Sequence, residues 1–137
     1  MDGTIDELAA QLAITNVVCR LAICTDQGGL DDYLDAFVAE AELVLPIGTL
    51  QGRTELRELA ESRRATGTGG PGSNSRHVVT TVSVAMAGPD EAEALSYFSY
   101  FEMTATAPVL VSIGTYRDLF RRTGGTWRIA RRNVAIG

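Results

Sequence analysis

The stretch VLVSIGTYRDLFRRTGGTWRIARRNVAI, residues 109–136, decides the fold. Apolar and aromatic residues alternate with polar ones on both sides of Gly124-Gly125, the pattern of two strands joined by a two-residue type I′ turn. Such a hairpin sets Phe120 opposite Ile129, Asp118 opposite Arg131 and Tyr116 opposite Asn133. The face with Trp127, Phe120 and Ile129 is then interior and carries Tyr116, Asp118 and Arg131 with it. The other face, with Arg117, Leu119, Arg128, Ala130 and Arg132, reads as wet.

Upstream, RHVVTTVSVAMAG (76–88) and EAEALSYFSYFEMTAT (91–106) are two further strands, bounded by Gly88-Pro89 and Pro108. In the second, Leu95, Tyr97, Phe101 and Met103 occupy one face and Phe98 and Tyr100 the other. A strand apolar on both faces is covered on both, and beyond a single sheet the cover is most simply another subunit, so a homo-oligomer (dimer or trimer) is expected.

The first half reads as mainly helical. Thr4 and Glu7 form a capping-box pattern ahead of a helix running to about Asp26, where Gly28-Gly29 stops it. Ile5, Leu8, Leu12, Cys19 and Ile23 make one apolar stripe that reaches Asp26 if continued, while Ile14, Val17, Val18 and Leu21 form a second arc. An acid on a core-facing stripe needs a partner or a pocket. Asp31 is expected to cap a short second helix, DDYLDAFVAE, burying Tyr33, Leu34, Phe37 and Val38. A strand follows in AELVLPIGTLQG, and then a third helix, TELRELAESRRA, with Leu56, Leu59 and Ala60 inward. Residues 66–75, TGTGGPGSNS, form a loop that lacks the GK[ST] of a phosphate cradle and reads as a mobile lid or linker. Helices first and an antiparallel meander afterwards make an α+β domain, taken as a single domain over residues 1–137.

Composition excludes several classes. With 45% hydrophobic and 21% charged residues the chain is globular rather than disordered. A net charge of −5 argues against nucleic acid as a partner. The arginines at 121, 122, 128, 131 and 132 do not reverse this, because strand alternation divides them between two faces. The N-terminal MDGTIDELAAQLAI has no basic leader and acids interrupt its apolar runs, so neither a secretory signal nor a membrane span is expected, and the location is read as cytoplasmic. Cys19 and Cys24 show neither a metal spacing nor a disulfide pattern.

The chemistry centres on His77, the single histidine. A neutral imidazole is well matched to taking a proton near neutral pH, and a buried carboxylate on its other nitrogen would fix its tautomer. Simple alternation groups Val78, Val82, Val84 and Met86 on the buried face and turns His77 outward, unless a bulge near residues 78–81 brings it in. The residues alone leave two readings: a base paired with Asp26, or a strand-end residue in a structural ion pair. Asp118 and Arg131 are a salt bridge or a leaving-group stabiliser, and Tyr116 a hydroxyl donor or a core ring. One histidine and scattered acids assemble no metal site, and no dinucleotide or haem motif is present. Cofactor-free proton abstraction, followed by elimination, isomerisation or ring closure, is the expectation.

The order CRLAICTDQGGLDDYLDAF, RHVVTTVSV, GTYRDLFRRTGGTWRIARR resembles the SnoaL-like branch of the nuclear transport factor 2-like superfamily. The likeness is carried by the helix ending at Asp26, by His77 opening the strand after the loop, and by Gly114, Tyr116, Asp118, Arg121, Gly125, Trp127, Ile129 and Arg132. It implies a cone, a curved sheet wrapped around three helices and enclosing an apolar pocket. In scytalone dehydratase and hexachlorocyclohexane dehydrochlorinase an Asp–His pair is the catalytic base, which implies Asp26 and His77 here. An arginine on the final strand lines the dehydrochlorinase pocket, implying Arg131. Tyr116, Arg131, Phe37 and Trp127 are the expected substrate-contacting residues, and the substrate an apolar, cyclic or polyketide-like small molecule. The chain departs from the family pattern at Cys19-Arg20-Leu21, where an Arg-Tyr pair is frequent, and at Thr81, where asparagine is. Other cones of the superfamily are non-catalytic binding or assembly modules, such as the small subunits of ring-hydroxylating dioxygenases, and that is the competing reading.

Overall fold

In the computed structural model, which describes residues 3–137, the elements follow in the order α1 (Gly3–Gln27), α2 (Leu30–Asp35), β1 (Phe37–Leu45), β2 (Gly48–Gln51), α3 (Gly52–Ala65), β3 (Arg76–Met86), β4 (Glu91–Glu102), β5 (Val109–Thr123) and β6 (Thr126–Ile136). The six strands form one sheet in the order β2-β1-β6-β5-β4-β3. Only β1 and β6 run parallel; every other neighbouring pair is antiparallel. The sheet is curved and open, with helices on its inner side, the α+β cone expected. Register shifts in four of the strand pairs supply local bends.

Two of those shifts decide where functional side chains point. In β3, Val79 pairs with Phe98 but Thr81 with Tyr97, so Thr80 is an extra residue. It lies within the 78–81 window anticipated for a bulge. Val82, Val84 and Met86 pack against the core below it, and His77 and Val79 turn inward above it. In β6, Phe120 faces Ile129 as the turn geometry predicts, but Leu119 faces Arg131 and Asp118 faces Arg132. Ala130 is the inserted residue. The bulge reverses the facing beyond it, so Arg132 is buried and Arg131 lies outside, half exposed and paired with Glu42 at 3.0 Å. The expected Asp118–Arg131 pairing is therefore corrected to Asp118–Arg132, and Tyr116 faces Val134 rather than Asn133.

Helix α1 also differs from expectation. Ile14, Val18 and Leu21 are its buried side, whereas Ile5, Leu8, Leu12 and Ile23 are exposed. The helix is apolar nearly all round, so periodicity alone does not select its inner face. By length and hydropathy the segment Thr4–Gln27 is also apolar enough to cross a membrane. Thr4 lies within the helix rather than capping it. The second helix is shorter than predicted: it starts from an N-cap at Gly29, not Asp31, and ends at Asp35. Phe37 and Val38 are buried strand residues instead. Arg53 donates to the Phe37 carbonyl at 3.1 Å, tying α3 to the start of β1.

The loop of residues 66–75 is fastened on both flanks. The Gly70 amide donates to the Thr25 carbonyl at 3.1 Å, and the Thr104 amide to the Asn74 carbonyl at 3.0 Å. Arg64 donates to the carbonyls of Cys24 and Gly28 at 3.1 and 3.0 Å, the first of which also accepts the Gly28 amide, and so ties α3 to the end of α1. These bonds close the loop over the helix end that carries Asp26.

Candidate active site

A cavity of about 400 Å³ opens between the helices and the inner face of the sheet. Leu21, Phe37, Leu43, Leu45, Phe98 and Val134 give it apolar walls, and His77, Tyr33, Tyr100, Tyr116 and Arg132 give it polar groups. A space of this size, mostly apolar with a few convergent polar groups, suits a small organic molecule.

Asp26 is 3% exposed and both of its carboxylate oxygens engage His77. Oδ1 lies 2.7 Å from Nδ1 of the ring, and Oδ2 accepts the His77 backbone N–H at 2.7 Å. An ionised carboxylate only accepts hydrogen bonds, so Nδ1 must carry the proton, and in the neutral ring the lone pair is on Nε2. Nε2, on the far edge of the imidazole from Asp26, is the nitrogen left to the cavity that His77 lines. Tyr100, the cross-strand neighbour of His77, packs its ring 4.7 Å from the imidazole and limits its rotation.

Beside His77, on the neighbouring strands of the same sheet, is a stack that begins with Phe98, whose ring lies 6.2 Å from the imidazole. Phe98 lies on Tyr116 with ring centroids 4.5 Å apart and nearly parallel, and the Arg132 guanidinium sits 3.8 Å from the Tyr116 ring centre. Arg132 in turn donates Nε to Asp118 Oδ1 at 2.7 Å and its NH2 to Oδ2 at 2.9 Å. Burial alone would weaken the hold of Arg132 on its proton, but Asp118 beside it outweighs this and keeps the cation charged. Desolvation pushes the Tyr116 hydroxyl up to about 12, with Arg132 pulling the other way, so it remains a proton donor through neutral pH. Burial likewise raises Tyr33. Gly114 makes the stack possible, since a Cβ there would come within 2.3 Å of the Phe98 ring. This is the physical reason for glycine two residues before the tyrosine.

Of the residues singled out from sequence, His77, Tyr116 and Phe37 line the cavity, and Asp26 stands directly behind His77. Arg131 does not line it, for the reason of the Ala130 bulge, and Trp127 is packed in the core beneath Arg122 rather than on the lining. Arg132, Tyr33, Phe98 and Tyr100 are cavity residues whose place sequence alternation missed. Leu21 lines the wall in the segment where the family often has its Arg-Tyr pair, leaving Tyr33 and Tyr116 as the buried hydroxyls. Among the described residues no three His, Cys, Asp or Glu side chains gather as a metal site.

The helix-then-meander cone with a buried acid behind a cavity-lining histidine is the architecture of one class of small α+β proteins. The sequence matches the model of the SnoaL-like domain over residues 6–133, and the chain belongs to that family. Solved structures agree on the fold. A hexachlorocyclohexane dehydrochlorinase (LinA, type 2) superposes with a TM-score of 0.78 at 17% identity, over 98% of this chain and 90% of that one. A putative scytalone dehydratase from Novosphingobium aromaticivorans DSM 12444 gives 0.79 at 17% identity, over 98% and 89%. A protein of unknown function from Nostoc punctiforme PCC 73102 gives 0.81 at 20% identity, over 93% and 90%. No curated protein matches the chain in sequence.

Proposed function

We propose that the protein is a cofactor-independent lyase, isomerase or cyclase acting on an apolar, cyclic or polyketide-like small molecule, with His77 as general base and Asp26 as its orienting partner. The observation that carries this reading is the two-point grip of Asp26 on His77, which leaves Nε2 as the basic nitrogen toward an apolar cavity. Nε2 takes a proton from a carbon beside a carbonyl or a leaving group. The C–H electron pair then forms an enolate, or a double bond as the leaving group departs. The imidazolium is stabilised by Asp26 and afterwards returns the proton to product or water. Tyr116 and Arg132 are the groups available to developing negative charge, the first by its hydroxyl and the second by its fixed positive field.

That a dehydrochlorinase and a putative dehydratase share the fold supports a reaction of this type. The non-catalytic alternative would fit a His77 turned to solvent, and the cavity-lining position of the ring favours catalysis over it. The test is NMR-detected exchange of α-protons into D2O across a panel of cyclic ketones and β-hydroxyketones. Exchange or elimination by the wild type that disappears in His77→Ala and Asp26→Asn is expected; rates equal in all three would contradict the assignment.

The outer face of β4 and β5 exposes Tyr97, Leu110 and Ile113, and this is where a second copy of the chain is proposed to pack. Light scattering should report a dimer or trimer for the wild type and a smaller species for Ile113→Glu, whereas a monomeric wild type would refute it.

A further inference from the structure

The ionisable groups along the cavity wall are unevenly chosen. Although the chain carries 17 acids, among the described residues no Asp or Glu lines the cavity, whereas His77, Arg132 and Arg63 do. The two arginines are in different states. Arg132 remains a cation but its charge is paired with Asp118 through two hydrogen bonds and covered by Tyr116. Arg63, in the last turn of α3, is exposed and its guanidinium makes no ion pair or hydrogen bond among the described residues. Arg57 pairs with Asp31, Arg121 with Glu40 and Arg122 with Asp90, while Arg117, also exposed and without an acid among the described residues, does not line the cavity. Arg64, beside Arg63 in the chain, is committed to the carbonyls ending α1.

Arg63 is nevertheless well placed. Its carbonyl accepts the Thr68 amide at 2.9 Å and the hydroxyls of Thr68 and Thr66 at 3.2 Å each, which fixes its backbone where the loop turns toward the cavity. Thr68 and Gly69 line the same cavity, and so does the exposed Ile47, so this is the rim. Arg63 also shares a small adjoining recess with Tyr33, and its charge opposes the burial that raises the Tyr33 hydroxyl.

An uncompensated guanidinium at the mouth of an apolar, acid-free cavity suits an anion, since an arginine fork matches a carboxylate in two hydrogen bonds. We infer that the substrate is an amphiphilic acid: an apolar ring body in the cavity near His77 and a carboxylate, or a comparable single anion, left at the mouth on Arg63. This rests on the reading of the cavity as the substrate site and names the substrate class. Arg63 is then a specificity-determining residue, removed from the proton transfer itself.

The test uses calorimetric titration of the intact protein at low salt with two probes of one shape, 2-naphthoate and 2-naphthamide. The wild type should take naphthoate roughly tenfold more tightly, the worth of one charge-assisted contact. Arg63→Gln should reduce the ratio to near one by weakening naphthoate alone, and Arg63→Lys should restore part of it. His77→Ala and Asp26→Asn should keep the ratio, so failure of the base assignment would leave this result untouched. No naphthoate uptake, a ratio near one in the wild type, or a ratio that survives Arg63→Gln would each overturn the inference.

Discussion

Two buried aspartates in this molecule hold a basic residue at two points, and they do so to different ends. Asp118 grips Arg132 through both oxygens, and the guanidinium is itself buried and covered by an aromatic ring. Asp26 grips His77 through both oxygens, but the imidazole side chain remains 23% exposed and lines the cavity. The first is a permanent charge pair held by two side-chain hydrogen bonds at the cavity wall; the second holds an imidazole with only one ring nitrogen engaged. What separates them is the partner, since arginine cannot give up its proton in a protein and histidine can.

The contrast can be broken from the structural side first. Asp118→Ala strands a buried cation, and chemical denaturation should show a loss of about 3–5 kcal/mol. A loss below about 1 kcal/mol would mean that Arg132 escapes to solvent. On the other side, His77→Ala should lower turnover of a true substrate by roughly 10²–10⁴-fold, the usual range for a general base, and cost less stability than Asp118→Ala, because water in the cavity can reach the Asp26 oxygen it frees. Equal damage to stability from both substitutions would erase the distinction.

Smaller effects sharpen the same picture. Gly114→Ala drives a methyl into Phe98 and should destabilise by about 1–3 kcal/mol while disturbing the Tyr116–Arg132 stack. An unchanged denaturation midpoint would show that the Phe98 ring moves freely aside. Tyr116 gives a pH signature. Its folded-state value of about 12 lies above the ordinary 10.0, so its contribution is intact below pH 10 and is lost as the pH rises toward 12. The loss is on the order of 2 kcal/mol, and Tyr116→Phe should flatten that part of the stability profile. Profiles that coincide would place the alkaline loss elsewhere, with Tyr33 the next candidate.

Much of this arrangement was legible in the sequence, and the exceptions share a cause. The four C-terminal strands, the Gly-Gly turn and the inward Tyr116 and Asp118 follow from alternation and turn chemistry. The bulge at Thr80 was foreseeable, because an inward His77 and a buried row of Val82, Val84 and Met86 cannot both hold on a regular strand. No such conflict marked Ala130. Both Arg131 and Arg132 are acceptable partners for Asp118, so alternation chose the wrong one. Helix α1 failed for a related reason: with two apolar arcs, only the tertiary fold selects Ile14, Val18 and Leu21. Phe37 and Val38 continue the helical spacing of Tyr33 and Leu34, and pairing with β6 is what makes them a strand.

If Asp26 orients His77 as proposed, the neutral ring is the Nδ1–H tautomer. A single histidine gives a single set of imidazole signals, so long-range 1H–15N correlation spectra of the neutral ring in the wild type and in Asp26→Asn test it directly. A protonated Nδ1 and an unprotonated Nε2 are expected in the wild type, with loss of that preference in Asp26→Asn. An Nε2–H tautomer in the wild type, or identical spectra for the two proteins, would contradict it.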